Sequence, residues 1–277
     1  MAIDQDYHRR QKDAEGTFYR EIVSNRRGRA YESGNTQGLY VCTASGEFLG
    51  YSNHRFPTYA IRLLKEGLKK YKPARVSPIQ STKNTGNWNP HLSPPKGGLV
   101  VRVNAKVLGG FEQTQDLERT IQRDSISRDN LWTTKKEHES LVKGVMLESL
   151  KNRIGKFHLV DGTRGTGSSW KDEDFMHYEL NLKDGTISGS VHVENKSKGW
   201  GHTAKLLGFV KTKDGKVTQF DLVAKGLYWG GGRYSKNPPK GKYPFATSFT
   251  LADGTQLADK IPPEGTKGWP PQYIQLK

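Results

Sequence analysis

At 277 residues the chain has room for one large domain or two ordinary ones. A hydrophobic content of 33%, 31 glycines and a mean hydropathy of -0.78 predict a loop-rich protein with a modest core. A net charge of +16 and an isoelectric point near 9.7 raise nucleic acid as a partner, but Lys plus Arg exceed Asp plus Glu evenly, by 14 to 8 over residues 1–75, 12 to 8 over 76–155 and 18 to 12 over 156–277, which argues against it.

A single cysteine, Cys42, excludes an internal disulfide and any Cys-rich metal centre. The first residues, MAIDQDYHRRQKDAEG, carry neither an apolar signal core nor a small-residue cleavage site, and no apolar run approaches a membrane span. A soluble chain that is not secreted is expected.

Residues 11–24 place Ala14, Phe18 and Ile22 one turn apart, with Tyr19 and Val23 widening the stripe, which predicts an amphipathic helix. Two short strands follow, Leu39 to Thr43 and Phe48 to Tyr51, around a turn at Ser45-Gly46. Pro57 suits a first helical position, and Ala60, Leu63, Leu64, Leu68 and Tyr71 form one apolar helical face that ends at Pro73. From 73 to 98 the composition turns to Pro, Gly, Ser and Asn without periodicity, a linker in which Trp88 is expected to pack on a neighbouring domain.

The segment NTQGLYVCTASGEFLGYSNHRFPTYAIRLLKEGLKKY, residues 35–71, resembles the second half of a thioredoxin fold: two antiparallel strands, a Ser-Gly turn and a closing amphipathic helix. Thr36-Gln37-Gly38 stands where that family carries Thr-Pro, and the earlier β-α unit and Cys-x-x-Cys have no counterpart. The resemblance implies a degenerate or truncated thioredoxin-like, redox-associated protein over 1–72. A dithiol exchange needs two sulfurs, so Cys42 is expected to be a buried structural residue.

Beyond the linker, Val101, Val103, Ala105 and Val107 alternate with polar residues as a half-buried strand. A helical insertion is expected over 112–154, with a capping box at Thr134 and Glu137 and a second helix carrying Leu147, Leu150 and Ile154. The remainder reads as strands around Asp184-Gly185, Asp214-Gly215 and Asp253-Gly254, pairs that favour the type I′ turn of a two-residue hairpin. In the second hairpin Leu207 and Phe209 would oppose Leu222 and Phe220, with both faces covered. Adding Phe157 to Val160 and strands near Tyr243 and Thr255 gives about eight. The fold class is therefore α+β: a small thioredoxin-like module, then an antiparallel β-barrel or sandwich over 99–277 with a helical insertion.

Hairpin arithmetic around Asp184-Gly185 sets His177 opposite His192, with Glu179 and Glu194 on the diagonals, a set of ligands acceptable to zinc or another divalent metal. The same face must be polar if it is simply wet. His158 and His202 are expected to be satisfied or exposed, and Asp221, among apolar neighbours, to point inward. DGTRGTGSSW, residues 161–170, is Gly-rich but lacks a phosphate-loop ending, and reads as a flexible loop.

GLYWGGGRYSKNPPKGKYPF, residues 226–245, places Tyr228, Trp229, Arg233, Tyr234 and Tyr243 among glycines and prolines. An aromatic loop at the mouth of a β-domain suits a small ligand or a protein partner. Trp200 and Trp269 lie in similar Gly- or Pro-flanked settings. With no nucleophile elbow, zincin or Walker sequence, the reading favours a non-catalytic binding protein that uses Tyr228, Trp229, Arg233 and Tyr234.

Overall fold

The computed structural model describes residues 9, 14–54, 56–73, 93–163, 165, 169–231, 237–264 and 273–274, with 118 and 257 described by backbone alone. The chain divides into two compact units, Met1–Asn89 and Pro90–Lys277, at a point inside the Pro/Gly-rich stretch. Trp88, Arg164, Arg233, Tyr234 and Trp269 lie outside the described residues.

In the first unit a helix, α1 (Ala14–Arg27), precedes an antiparallel hairpin of β1 (Leu39–Cys42) and β2 (Phe48–Ser52), and α2 (Pro57–Lys70) follows. α1 buries Tyr19, Ile22 and Val23, and the Tyr19 hydroxyl bonds Thr36 Oγ1 at 2.5 Å. Pro57 does open α2. Leu63 and Gly67 face the hairpin, where a Cβ on Gly67 would stand 2.7 Å from Val41 Cγ1. Of the expected apolar face Leu63 is buried, whereas Leu64, Leu68 and Tyr71 lie exposed with Ile61, because a sheet two strands wide covers only one line of a helix.

The second unit contains β3 (Val100–Val107), α3 (Leu117–Asp124), β4 (Ser127–Trp132), α4 (Lys135–Val142), and α5 (Glu148–Arg153) running into a π turn at Ile154–His158. Five strands come after it: β5 (Phe175–Lys183), β6 (Thr186–Asn195), β7 (Trp200–Lys213), β8 (Lys216–Trp229) and β9 (Lys242–Leu251). They form one antiparallel sheet ordered β4-β3-β9-β8-β7-β6-β5. β4 and β5 do not pair with each other, so the sheet is open and not the barrel or sandwich expected from strand count.

Both central hairpins turn as predicted, since Asp184 (φ 49) with Gly185 (φ 76) and Asp214 (φ 51) with Gly215 (φ 70) all take left-handed backbone. The first keeps simple register, His177 opposite His192 and Leu182 opposite Ile187. The second does not. A bulge between Lys211 and Thr212 pairs Thr212 with Val217 but Lys211 with Gln219, leaving Thr218 as the extra residue. Leu207 therefore faces Val223, and Phe209 faces Asp221. Leu206, Phe220 and Leu222 point into the core while Leu207, Phe209 and Val223 point out, so the expectation that both faces of these strands are covered is also corrected.

Two other expectations fail for local reasons. Phe157 to Val160 is not a strand but the end of the π turn and a bend. Asp253-Gly254 joins no hairpin among the described residues; Asp253 accepts from Thr255 N at 3.0 Å, and the chain continues into a 3-10 turn at Leu257–Lys260. The capping box is present, with Glu137 N donating to Thr134 Oγ1 at 3.2 Å and Thr134 N to Glu137 Oε2 at 2.7 Å.

One face of the sheet packs on the helical layer. Val101, Val103, Leu180, Ile187, Val191, Leu206, Phe220, Leu222, Phe245 and Phe249 form one core with Leu141, Leu150, Ile154, Leu159 and Trp170. Glycine lets the backbones of the long strands approach closely. A Cβ on Gly208 would come 2.1 Å from the Asp221 carbonyl oxygen, and one on Gly226 1.8 Å from that of Thr203.

Candidate functional site

Of the expected aromatic rim, Tyr228 and Trp229 lie within the described residues, and these two do not share a face. Tyr228 and Trp229 are consecutive on β8, and consecutive strand residues point to opposite faces. Tyr228 is buried against His202, Tyr243 and Phe245, with ring centroids 5.4, 5.9 and 5.0 Å away. Trp229 lies half-buried on the other face, with Lys242 Nζ 4.4 Å from its ring centroid. Arg233 and Tyr234 fall outside the described residues. Trp200 is buried and stacks on Trp170 at 4.2 Å.

The cross-strand arithmetic for the imidazoles holds, but their side chains take other partners. His177 Nε2 lies 2.8 Å from Ser190 Oγ, Asn181 Nδ2 donates to Glu179 Oε1 at 2.6 Å, and His192 meets Trp229 edge-on at 6.3 Å. Among the described residues no three His, Cys, Asp or Glu side chains are grouped to hold a metal, so His177, His192, Glu179 and Glu194 do not converge. Asp221 points outward rather than inward, and its Oδ2 accepts from Gln219 Nε2 at 2.6 Å.

Three constellations of polar side chains were not legible in sequence. Arg153, fully buried, donates through Nη1 to Glu137 Oε2 at 2.9 Å and to the Trp132 carbonyl at 3.1 Å, and through Nε to the Tyr273 carbonyl at 2.7 Å. Burial alone would push the Glu137 carboxyl up; the Arg153 guanidinium, Ser149 and Thr134 N together hold it below the usual range.

Beside it, His158 Nε2 bonds the Tyr273 hydroxyl at 2.6 Å, while its Nδ1 lies 3.1 Å from Asp129 Oδ2 but out of line for a hydrogen bond. The order carboxylate, imidazole, hydroxyl is that of a proton relay. Tyr273 is fully buried, and burial pushes its hydroxyl well up.

The third is His202, which is also buried, against the expectation of a satisfied or exposed ring. Neither ring nitrogen has a hydrogen-bond partner among the described residues. Burial pulls it down to about 4, and the Leu159 carbonyl and Asp161 carboxylate reverse this only in part.

In the first unit Cys42 is partly exposed rather than buried, and desolvation pushes its thiol up, the wrong direction for a reactive thiolate. A shallow depression of about 540 Å³ lies between Asn25, Arg29, Glu47 and Phe48. One arginine and one glutamate give it no convergent chemistry.

The surface that stands out is the open face of the large sheet. At the β3–β4 edge it is covered, because Arg102 Nε and Arg128 Nη2 hold Asp259 Oδ1 at 2.9 and 2.8 Å and Asn130 Nδ2 donates to the carbonyls of Ala258 and Ile261. Across β5 to β8 no such strap lies on it among the described residues. There Leu207 is 64% exposed, Val223 45%, Leu227 43% and Phe209 38%.

Lysines lie among these apolar residues. Lys205 is directly opposite Lys225, between the Leu207–Val223 pair and Leu227, and Lys211 Nζ lies 5.4 Å from the Phe209 ring centroid. Like charges directly opposite destabilise a strand pair. None of Lys205, Lys211, Lys225 or Lys242 has a carboxylate partner among the described residues.

No helix among the described residues is long and apolar enough to cross a membrane. Against protein families, curated proteins and solved structures alike the chain finds no match, so its function is argued from this geometry alone.

Proposed function

We propose that this is a non-catalytic binding or interaction protein whose working surface is the outer face of β5 to β8. One observation carries the reading: a sheet covered on one side by helices exposes on the other Leu207, Phe209 and Val223 as one apolar group and Leu227 with Trp229 as a second, the Lys205–Lys225 pair lying between them. Apolar residues scattered singly on a surface need no explanation, but exposed apolar groups gathered on one sheet face mark an interaction site. The titratable groups displaced by burial support it from the other side, because Tyr273, His202 and Glu137 lie inside the core rather than on an exposed surface.

Covalent labelling of side chains in the cells that make the protein, compared with the purified protein, tests this. Leu207, Phe209, Val223 and Leu227 should be labelled several-fold less in the cell. Equal labelling in both settings defeats the reading, and protection confined to 230–241 returns the function to the aromatic rim.

A further inference from the structure

We propose that the occupant of this open face is an acidic amphipathic helix of a partner protein, an inference that rests on the reading of the face as a docking surface. A sheet face that leaves large apolar side chains exposed is completed by a layer of helix. From the level of Phe209 and Asp221 to Trp229 is eight residues of β8, about 27 Å at strand rise, which a helix of about 18 residues spans.

The chemistry of the helix follows from what faces it. Leu207 and Val223 face each other at one level and Leu227 lies four residues further along β8, and both levels call for aliphatic side chains. Lys205 and Lys225, opposed between those two levels, with Lys211 at one end and Lys242 at the other, call for Asp and Glu between and beside the aliphatic positions. The acids on the same face are Glu179, Glu194 and Asp221; Asn181 donates to the first and Gln219 to the last.

Two other occupants fit less well. Single-stranded nucleic acid needs successive aromatic platforms, whereas Phe209 and Trp229 stand at opposite ends with their own lysines over the rings. A second copy would bring the same lysine pair toward itself.

The test is selection of displayed 18-residue amphipathic helices, with Asp, Glu, Lys or Arg allowed at every polar position, on the intact chain. Acidic helices should be enriched. Their binding should weaken at least tenfold on L207S/V223S and on K205E/K225E, with circular dichroism of both variants unchanged, and should weaken again with added salt.

Enrichment of basic or charge-balanced helices, or none, overturns the proposal, as does tighter binding of a thymidine 20-mer than of the best helix. A concentration-dependent dimer that L207S/V223S dissociates overturns it in favour of a second copy. If the helices fail while labelling in cells still shows the face protected, the partner class is wrong and the docking surface stands.

Discussion

Removing one partner of the buried Glu137–Arg153 pair should cost far more than removing both. In Glu137→Leu the guanidinium stays fully buried with its carbonyl acceptors but no counter-charge, and uncompensated buried charges of this kind cost about 3–5 kcal/mol. Arg153→Met leaves a buried carboxylate and takes the donor from the carbonyls of Trp132, Tyr273 and Ile274. For a unit of this size each single change should lower the melting temperature by roughly 6–20 °C.

The double variant Glu137→Leu/Arg153→Met should recover about 2 kcal/mol relative to either single, short of wild type because those carbonyls remain orphaned. Urea titrations of the four proteins give the coupling energy directly. Additive losses, or singles within about 1 kcal/mol of wild type, would refute the placement of this pair in the core. Because the folded Glu137 carboxyl lies below its usual value, its contribution is present above about pH 4.5 and is lost as pH falls through the folded value.

His202 supplies a second pH signature. Its folded value of about 4 lies below the ordinary 6.5, so stability is full above pH 6.5 and falls by up to about 3 kcal/mol between there and pH 4, a slope that His202→Phe should remove in denaturant titrations. Gly226→Ala should destabilise by at least about 2 kcal/mol, since its methyl has no place beside the Thr203 carbonyl; a neutral result in thermal melts would sink the close-approach account. Deleting Thr218 should leave the melting temperature within a few degrees, because the pairs on either side of the bulge then follow one another; loss of folding would show that the bulge is required. Trp229→Ala should keep the fold and abolish any fluorescence change on ligand addition; an undiminished change would place the ligand elsewhere.

How far the sequence carried the fold depends on how local each signal is. The Asp-Gly turns and the Thr134–Glu137 box are set within four residues, and both were readable. Around Asp184 the same arithmetic predicted every partner down to His177. Around Asp214 it failed by one residue, because Val217 and Phe220, three apart yet both buried, conceal the bulge that period-two alternation assumes away. β4 was missed since SRDNLW at a sheet edge carries too few apolar residues to alternate.

Open sheet and barrel differ only in whether the two end strands pair, which hydrophobic pattern does not encode. The candidate site was the least legible. Counting charges along thirds of the chain dilutes Lys205 and Lys225 among their neighbours, while the fold sets them face to face. Reading residues 226–245 as one aromatic cluster overlooked that adjacent strand positions belong to opposite sides.

The strand order also sets a clock on synthesis. β3 pairs on one edge with β4, close by in sequence, and on the other with β9, so Arg102 meets Asp259 only after 157 more residues have been translated. At about 5–20 residues per second that is on the order of ten seconds. Throughout that interval the Val101–Val107 edge stands unclaimed beside the ribosome, a target for a chaperone or for a neighbouring nascent chain.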